Sequence, residues 1–276
     1  MSDGESTLSQ AADAVEEASN HKILDVLARL GFAVMALLHV IVGAIAVAIA
    51  FGQPGQADAT GAIEQLAANP WGPAVMWACV AACTGLSLWQ ASEATLRMRG
   101  EPRRERVAKL VSSGFLAIAY GSVGLSFAGF AVGLRGDSGD NTRDFSAALM
   151  SHPLGPWVLV ALGLTIIGIG VYFVVKGVTR GFKKEELFHF NGTRRGRIVD
   201  SLGVVGHLAK GIALGLTGLL FIIAAAKHSP EESTGLDGSL QALRDHPFGP
   251  YLLVAIGAGF IAYGIFALIR ARFGHM

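Results

Sequence analysis

Charged side chains are scarce in this sequence, and they are almost missing from its six longest apolar runs. Asp, Glu, Lys and Arg make up 16% of the 276 residues, against about 25% in a typical soluble domain. The mean hydropathy is +0.49. Much of this chain is therefore built for a solvent other than water.

Motifs for catalysis and cofactor binding are also missing. The sequence has no P-loop, no GxSxG, no HExxH and no CxxC, and no apolar run carries paired carboxylates. The acidic residue nearest to the runs is Glu93, at a border, which disfavours an ion pump with a carboxylate relay. These absences indicate a protein that is not an enzyme and has no cofactor.

Cysteine is rare as well. Cys79 and Cys83 lie in one apolar run, so the chain has no disulfide framework. They share one helix face, and His39 lies near the middle of the preceding run. An imidazole and two thiols are suitable ligands for a soft metal or a redox centre. No fourth ligand is evident, however, and buried cysteines commonly serve as small apolar residues.

The main feature that the sequence does contain is a set of six long apolar runs. Each run has about 20 residues or more, enough for a helix that rises 1.5 Å per residue to cross a hydrocarbon core of about 30 Å. The runs therefore predict six transmembrane helices, at about 27–51, 73–92, 110–134, 156–175, 202–226 and 250–269.

One five-residue sequence motif, called the proline phrase below, occurs three times, at intervals of 83 and 94 residues. Each copy begins an apolar run. Its second proline suits the first turn of a helix. A short amphipathic segment precedes each copy and predicts two helical turns, which either lie on the outer membrane surface or simply shield the ends of the spanning helices. The phrases are Asn69-Pro70-Trp71-Gly72-Pro73, His152-Pro153-Leu154-Gly155-Pro156 and His246-Pro247-Phe248-Gly249-Pro250, after segments 62–66, 145–149 and 239–243.

The spacing predicts an all-α polytopic membrane protein made of three tandem helical hairpins with pseudo-threefold symmetry. Small residues recur in register on the first helix of each hairpin, among them Gly43, Ser126 and Gly218, which favours close helix packing. The predicted organisation is a polar cytoplasmic tail (1–24), repeat 1 (25–100), repeat 2 (107–182), a basic cytoplasmic linker (183–198) and repeat 3 (199–272).

Lys and Arg are distributed unevenly between the two sides of the predicted bundle. The termini and the second and fourth connections hold seventeen of them, whereas the opposite side holds four. Basic loops stay in the cytoplasm. We therefore expect a multi-pass protein of the plasma (inner) membrane with both termini in the cytoplasm.

The thrice-repeated two-helix unit, with its GAIEQL or GSLQAL turn and its P-aromatic-G-P phrase, resembles the bacterial, mainly actinobacterial, membrane proteins of domain-of-unknown-function family 1206. The resemblance extends from about residue 25 to 272. Repeat 2 departs from the pattern, with Leu154 in place of the aromatic residue. The resemblance implies the fold and the membrane location, and it brings no catalytic residues.

His207 and Lys210 stand three residues apart on the fifth run and so share a helix face. A lysine at this depth can extend its stem toward the cytoplasmic headgroups. The alternative is that Lys210 faces an internal cavity with an anionic group, such as a lipid phosphate or the carboxylate of Glu93. His39 is expected to donate to a carbonyl or hydroxyl group of a neighbouring helix.

Three hypotheses for function follow. The first is a non-enzymatic scaffold that binds membrane lipid, anionic lipid included, or a membrane-protein partner or second copy, and no nucleic acid. The second is a small-solute or ion pathway along the pseudo-threefold axis, lined by His39, His207 and Lys210. The third is a metal or redox site at His39, Cys79 and Cys83.

Overall fold

The structure, a computed structural model, describes residues 22–95, 103–134, 136–185 and 194–273, and this part of the chain contains helices and no strand. In chain order the helices are α1 (Lys22–Ala50), α2 (Ala59–Ala67), α3 (Gly72–Thr95), α4 (Arg103–Ala131), α5 (Ser138–Met150), α6 (Gly155–Val178), α7 (Arg194–Lys227), α8 (Gly235–Arg244) and α9 (Gly249–Phe273). Short 3-10 helices occupy Gly181–Glu185 and Pro230–Glu232.

Six of these helices are long and apolar enough to cross a membrane, which confirms the predicted spans: Val26–Ala50, Gly72–Ser92, Leu110–Ala131, Gly155–Val178, Gly196–Lys227 and Gly249–Arg272. The predicted tail, apart from residues 22–24, and residues 186–193 of the predicted linker lie outside the described part. The end of that linker is helical, because α7 begins at Arg194. Apolarity marks only the part of a helix that lies in lipid, and α7 continues beyond it.

Large apolar side chains remain exposed along the spanning helices. On α6 they form a stripe at a spacing of seven residues, with Trp157, Leu164 and Val171 all more than half exposed. Two helical turns separate successive members, so they lie on one face. A stripe of this kind is suited to contact with lipid, and the chain is a multi-pass membrane protein.

The repeated proline phrase forms the same turn three times. The backbone N–H groups of Gly72, Gly155 and Gly249 each donate to the carbonyl three residues earlier, at 2.7, 2.9 and 2.8 Å. A Cβ atom at any of these glycines would collide with a carbonyl oxygen at the end of the preceding short helix. The phrase therefore needs glycine where the chain turns from a short helix into a spanning helix, and the proline that follows sits in the first helical turn.

By its contacts the chain divides into two compact units. One contains residues 1–34 and 66–134, and the other contains residues 35–65 and 135–275. In the first unit α1 packs on α3 at Gly31, where a Cβ atom would lie 2.6 Å from the Ala82 carbonyl oxygen. Ser87 of α3 donates a 2.7 Å hydrogen bond to the Ala117 carbonyl of α4.

In the second unit, glycines let neighbouring helices approach closely. On α6 and α7, a Cβ atom at Gly163 or Gly218 would lie 2.6 Å from the other residue's carbonyl oxygen. On α9 and α1, Gly257 and Gly43 face each other in the same way, at 2.7 and 2.5 Å. Gly257 corresponds to Gly163 and Gly43 to Gly218 in the repeat register. The predicted close packing at Gly43 and Gly218 is confirmed. At Gly114, on the first helix of repeat 2, a Cβ atom would meet nothing within 4 Å, so not every glycine of these helices is a site of close packing.

The three short helices α2, α5 and α8 turn one side into the protein. Ile63, Ser146 and Leu240 occupy the same register position in these helices, and each is 0% exposed. Leu240 belongs to a core cluster of the second unit with Ile49 and Leu253. Protein covers this side of each turn, which agrees with the alternative that the turns shield the ends of the spanning helices. Their place on the outer membrane surface stays a prediction.

Candidate functional site

Two ionisable side chains meet inside the second unit, near the middle of the spans that carry them. Lys210 lies on α7, in the span Gly196–Lys227, and His39 lies on α1, in the span Val26–Ala50. The Nζ atom of Lys210 is 3.4 Å from Nε2 of His39. The expectation that Lys210 extends toward the headgroups is therefore wrong. Its side chain reaches across to another repeat instead.

Two aromatic rings flank the Lys210 ammonium group. Its Nζ atom is 4.9 Å from the ring centroid of Phe173 on α6 and 4.6 Å from that of Tyr263 on α9. A cation over an aromatic face is stabilised by about 0.5–2 kcal/mol, with the larger values in the absence of water. Among the side chains that the structure describes, which do not include Glu93, no acidic group forms an ion pair with Lys210.

The tautomer of His39 follows from its other hydrogen bond. Its Nδ1 atom lies 2.6 Å from the carbonyl oxygen of Met35. A carbonyl oxygen only accepts, so Nδ1 carries the proton and Nε2 presents its lone pair toward Lys210. The accepting carbonyl belongs to the same helix, one turn earlier, which corrects the expectation of a partner on a neighbouring helix.

His207 is 2% exposed and lies among aromatic rings. Its Nδ1 atom is 2.6 Å from the carbonyl oxygen of Gly203, one turn earlier on α7. Its ring stacks on Phe182 at 5.1 Å and lies edge-on to Tyr263 at 5.3 Å. Phe182 comes from the 3-10 helix after α6, so this short connection folds back onto the spanning helices.

Tyr263 is the residue on which the three candidate side chains converge. His39 lies 4.8 Å from its ring, His207 5.3 Å, and the Lys210 Nζ atom 4.6 Å. Sequence reasoning placed His207 and Lys210 on one helix face but missed Tyr263. The sequence did contain a pattern that could have indicated it: aromatic residues recur at three-residue intervals on α9, at Phe260, Tyr263 and Phe266.

The remaining candidates are Glu93, Cys79 and Cys83. The side chain of Glu93 lies outside the described part, so its role as an anionic partner of Lys210 stays a prediction. Cys79 and Cys83 are buried free thiols in the first compact unit, whereas His39 belongs to the second. Among the described side chains no group of three or more His, Cys, Asp and Glu is placed to hold a metal ion.

A groove of about 510 Å³ runs along the first turns of α7, against Ala262 of α9. Arg194, Arg197 and Ser201 supply polar groups, and the remaining lining is apolar: Ile198, Leu202, Val205 and Ala262. Its two arginines belong to the predicted basic linker. The groove is therefore positively charged at one end, and its remaining lining is apolar. The sequence predicted the basic character and not the groove.

On the opposite side of the spanning helices, carboxylates from all three repeats come together. The Gln56 side chain donates to Asp58 at 3.4 Å and to Asp137 at 3.1 Å. The backbone N–H of Ala57 donates to Asp237 at 2.6 Å. Burial raises the pKa of the Asp237 carboxyl, and the negative charges of Asp58 and Asp137 raise it further, while the hydrogen bond from Ala57 lowers it.

The sequence matches the family described as "Domain of Unknown Function (DUF1206)" in three segments, residues 30–97, 111–180 and 205–274. Each segment spans one unit of long helix, short helix and long helix. The chain is also similar to "Uncharacterized protein YxxB" of Bacillus subtilis (strain 168), with 26% identity over 253 residues, which are 90% of each protein. No solved structure matches it. The three matched segments cover most of the sequence, and the chain therefore belongs to the DUF1206 family.

Proposed function

We propose that this protein is a non-enzymatic scaffold of the plasma membrane that binds anionic lipid at its cytoplasmic face. The observation that supports this proposal most directly is the groove along α7, with Arg194 and Arg197 above Ile198, Leu202 and Val205. A phospholipid has the complementary arrangement, with a phosphate joined to apolar chains.

The length of the groove fits a lipid in one leaflet. Eleven residues separate Arg194 from Val205, which corresponds to about 16 Å along an α-helix. One leaflet contributes about half of a hydrocarbon core of roughly 30 Å. A headgroup held at Arg194 would therefore have its acyl chain beside Val205 and Ala262.

The charges on the two sides of the protein differ in a way that favours this side for an anion. On the loop side opposite the groove, Arg143, Lys227 and Arg244 each form a salt bridge with an acidic residue. Arg194 and Arg197 form none within the described residues, although Lys183 nearby pairs with Asp200. Guanidinium groups bind phosphate oxygens in pairs of parallel hydrogen bonds, so two unneutralised arginines are suited to a phospholipid headgroup.

Lipid binding is tested with the purified protein in nanodiscs, by titrating fluorescent phosphatidylglycerol against a phosphatidylcholine background. The double substitution Arg194→Gln/Arg197→Gln is expected to weaken phosphatidylglycerol binding about 30-fold, from about 1 kcal/mol per basic residue. Val205→Trp fills the apolar end and is expected to weaken binding without changing charge. The control Arg143→Gln/Arg244→Gln removes the same charge from the other side and is expected to leave binding unchanged.

Equal affinity of the wild type and Arg194→Gln/Arg197→Gln, or equal affinity for both lipids, would contradict lipid binding at the groove. A stoichiometric copurifying protein that the groove substitutions release would show instead that the scaffold binds a protein partner. A second copy of the chain held there would show itself as a change of oligomeric state in the same variants.

A second candidate function is a small-solute or ion pathway, and the convergence of His39, His207 and Lys210 on Tyr263 favours it. Inward-facing ionisable residues in a membrane commonly mark such pathways. Flux of small ions or solutes into proteoliposomes that is lost in His39→Ala would support the pathway and contradict a pure scaffold. If the flux into proteoliposomes with the wild type equals the flux into protein-free liposomes, the pathway is contradicted.

A further inference from the structure

We propose that Lys210 and His39 form a proton-binding site inside the membrane, in which two basic side chains from different repeats hold a single proton. The proposal is independent of lipid binding, because the groove and this pair share no residue. It goes beyond a pathway lining, since it assigns a ligand, the proton, and the two atoms that hold it.

The direction of the hydrogen bonds leaves one position for the shared proton. His39 Nδ1 donates to the Met35 carbonyl at 2.6 Å, so Nε2 is the free base of the ring. The protonated Lys210 amine is a donor with no lone pair, and its Nζ atom lies 3.4 Å from Nε2. A proton on Nζ therefore faces the lone pair of Nε2.

Transfer of this proton is balanced within the pair. When the N–H bond of Lys210 breaks and one forms at Nε2, the products are a neutral amine and an imidazolium ring. The imidazolium keeps its Nδ1–H bond to Met35, and the neutral amine accepts the new N–H from Nε2. The total charge remains +1, and no other group has to move.

The surroundings stabilise one positive charge on either residue. Tyr263 on α9 faces both, with its ring 4.6 Å from Lys210 Nζ and 4.8 Å from the His39 ring. Phe173 on α6 faces Lys210, and Phe260 on α9 lies 6.0 Å from His39. Among the side chains that the structure describes, which do not include Glu93, no acidic group contacts the pair. A second proton would place two positive charges side by side in apolar surroundings, so the site holds one.

The pair also connects the repeats. His39 belongs to repeat 1, Phe173 to repeat 2, and Lys210 and Tyr263 to repeat 3. A fixed ammonium group could make the same connection without sharing its proton, and this is the structural alternative to be tested. Arginine separates the two cases, because it keeps the charge, the donation and the contact with aromatic rings but does not release its proton.

The test is ¹⁵N NMR of histidine-labelled full-length protein in nanodiscs, with the His39 signals assigned by their loss in His39→Asn. In the wild type we expect Nδ1 to be protonated and Nε2 to resonate between a bare acceptor and a protonated nitrogen. In Lys210→Arg the Nε2 signal is expected to shift to the position of an ordinary hydrogen-bond acceptor, and in Lys210→Met to that of a bare one.

Identical Nε2 shifts in the wild type and Lys210→Arg would show a fixed cation and overturn the shared proton. Identical shifts in the wild type and Lys210→Met would show that the two side chains do not interact. If Lys210→Met fails to give a monodisperse protein, the comparison of the wild type with Lys210→Arg decides the question alone.

Discussion

The carboxylate of Asp237, at the start of α8, accepts a 2.6 Å hydrogen bond from the backbone N–H of Ala57, in the loop before α2. This bond joins the loops of repeats 3 and 1. A second bond reaches Asp237 from the Gln241 side chain, at 2.6 Å on the same helix. The negative charges of Asp58 and Asp137 act on this carboxyl and raise its pKa, so we expect the junction of the three loops to depend on pH.

The stability of the protein is expected to rise on mild acidification because of Asp237. Burial and the neighbouring carboxylates raise its pKa above the ordinary value of 3.8. The folded protein therefore binds this proton more tightly than the unfolded chain does. Its contribution to stability is present at low pH and is lost as the pH rises through the folded-state pKa. The measurement is the midpoint of thermal unfolding in detergent between pH 4 and pH 8.

Asp237→Asn is expected to remove this component of the pH dependence and to raise the unfolding midpoint at neutral pH. The amide oxygen still accepts the bond from Ala57, and no charge remains to be buried. The control is Asp245→Asn, at an exposed carboxylate eight residues further on. An unchanged pH profile in Asp237→Asn would show that this carboxyl is not the source.

Gly218→Ala is expected to destabilise the protein by about 1–3 kcal/mol, the usual cost of overpacking. The new methyl group would lie 2.6 Å from the carbonyl oxygen of Gly163 on α6. The control Gly215→Ala is one turn earlier on α7, where a Cβ atom meets nothing within 4 Å. It should leave stability unchanged or raise it slightly, because alanine favours a helix more than glycine does. Unfolding in detergent compares the two, and equal stabilities would contradict the close approach of α6 and α7.

The orientation of the protein is tested by labelling single cysteines with an impermeant maleimide on intact cells. In a Cys79→Ala/Cys83→Ala background, Asp144→Cys on α5 is expected to react from outside. Arg106→Cys, at the start of α4, is expected to react only after the cells are opened. Both native side chains are exposed. Labelling of Arg106→Cys from outside would overturn the cytoplasmic assignment of the basic loops.

The metal or redox hypothesis for His39, Cys79 and Cys83 makes a prediction of its own. If these residues hold a metal, the purified wild type contains it in stoichiometric amount and Cys79→Ser/Cys83→Ser does not. Inductively coupled plasma mass spectrometry of both proteins measures the difference. Equal metal content in the two proteins would contradict this hypothesis.

Much of the fold follows from local pattern. The six spans could be predicted from the length of the apolar runs, and the repeats from the P-x-G-P phrase, because both features act within one helix or one turn. The glycine of the phrase is the clearest case, since Gly249 is required by the end of α8, only a few residues earlier. Helix ends were harder to place, and α7 begins at Arg194 instead of near residue 202.

The candidate site could not be predicted from local sequence pattern, because its residues are far apart in the sequence. Helical spacing placed His207 and Lys210 on one helix face. The position of His39 near the middle of an apolar run marked it as an ionisable residue deep in its span. Nothing in the spacing indicated that Lys210 would meet His39, 171 residues away, or that Tyr263 would lie against both.

By itself, then, the sequence determined that this protein is helical, lies in a membrane and repeats one unit three times, because apolar length and turn chemistry are local properties. Tertiary structure alone decided which side of each short helix is buried and where a groove opens beside Arg194. It also decided that the side chain of Lys210 contacts His39. These depend on how helices cross, and the crossings are set by glycine contacts such as Gly163 with Gly218, between residues that no periodicity connects.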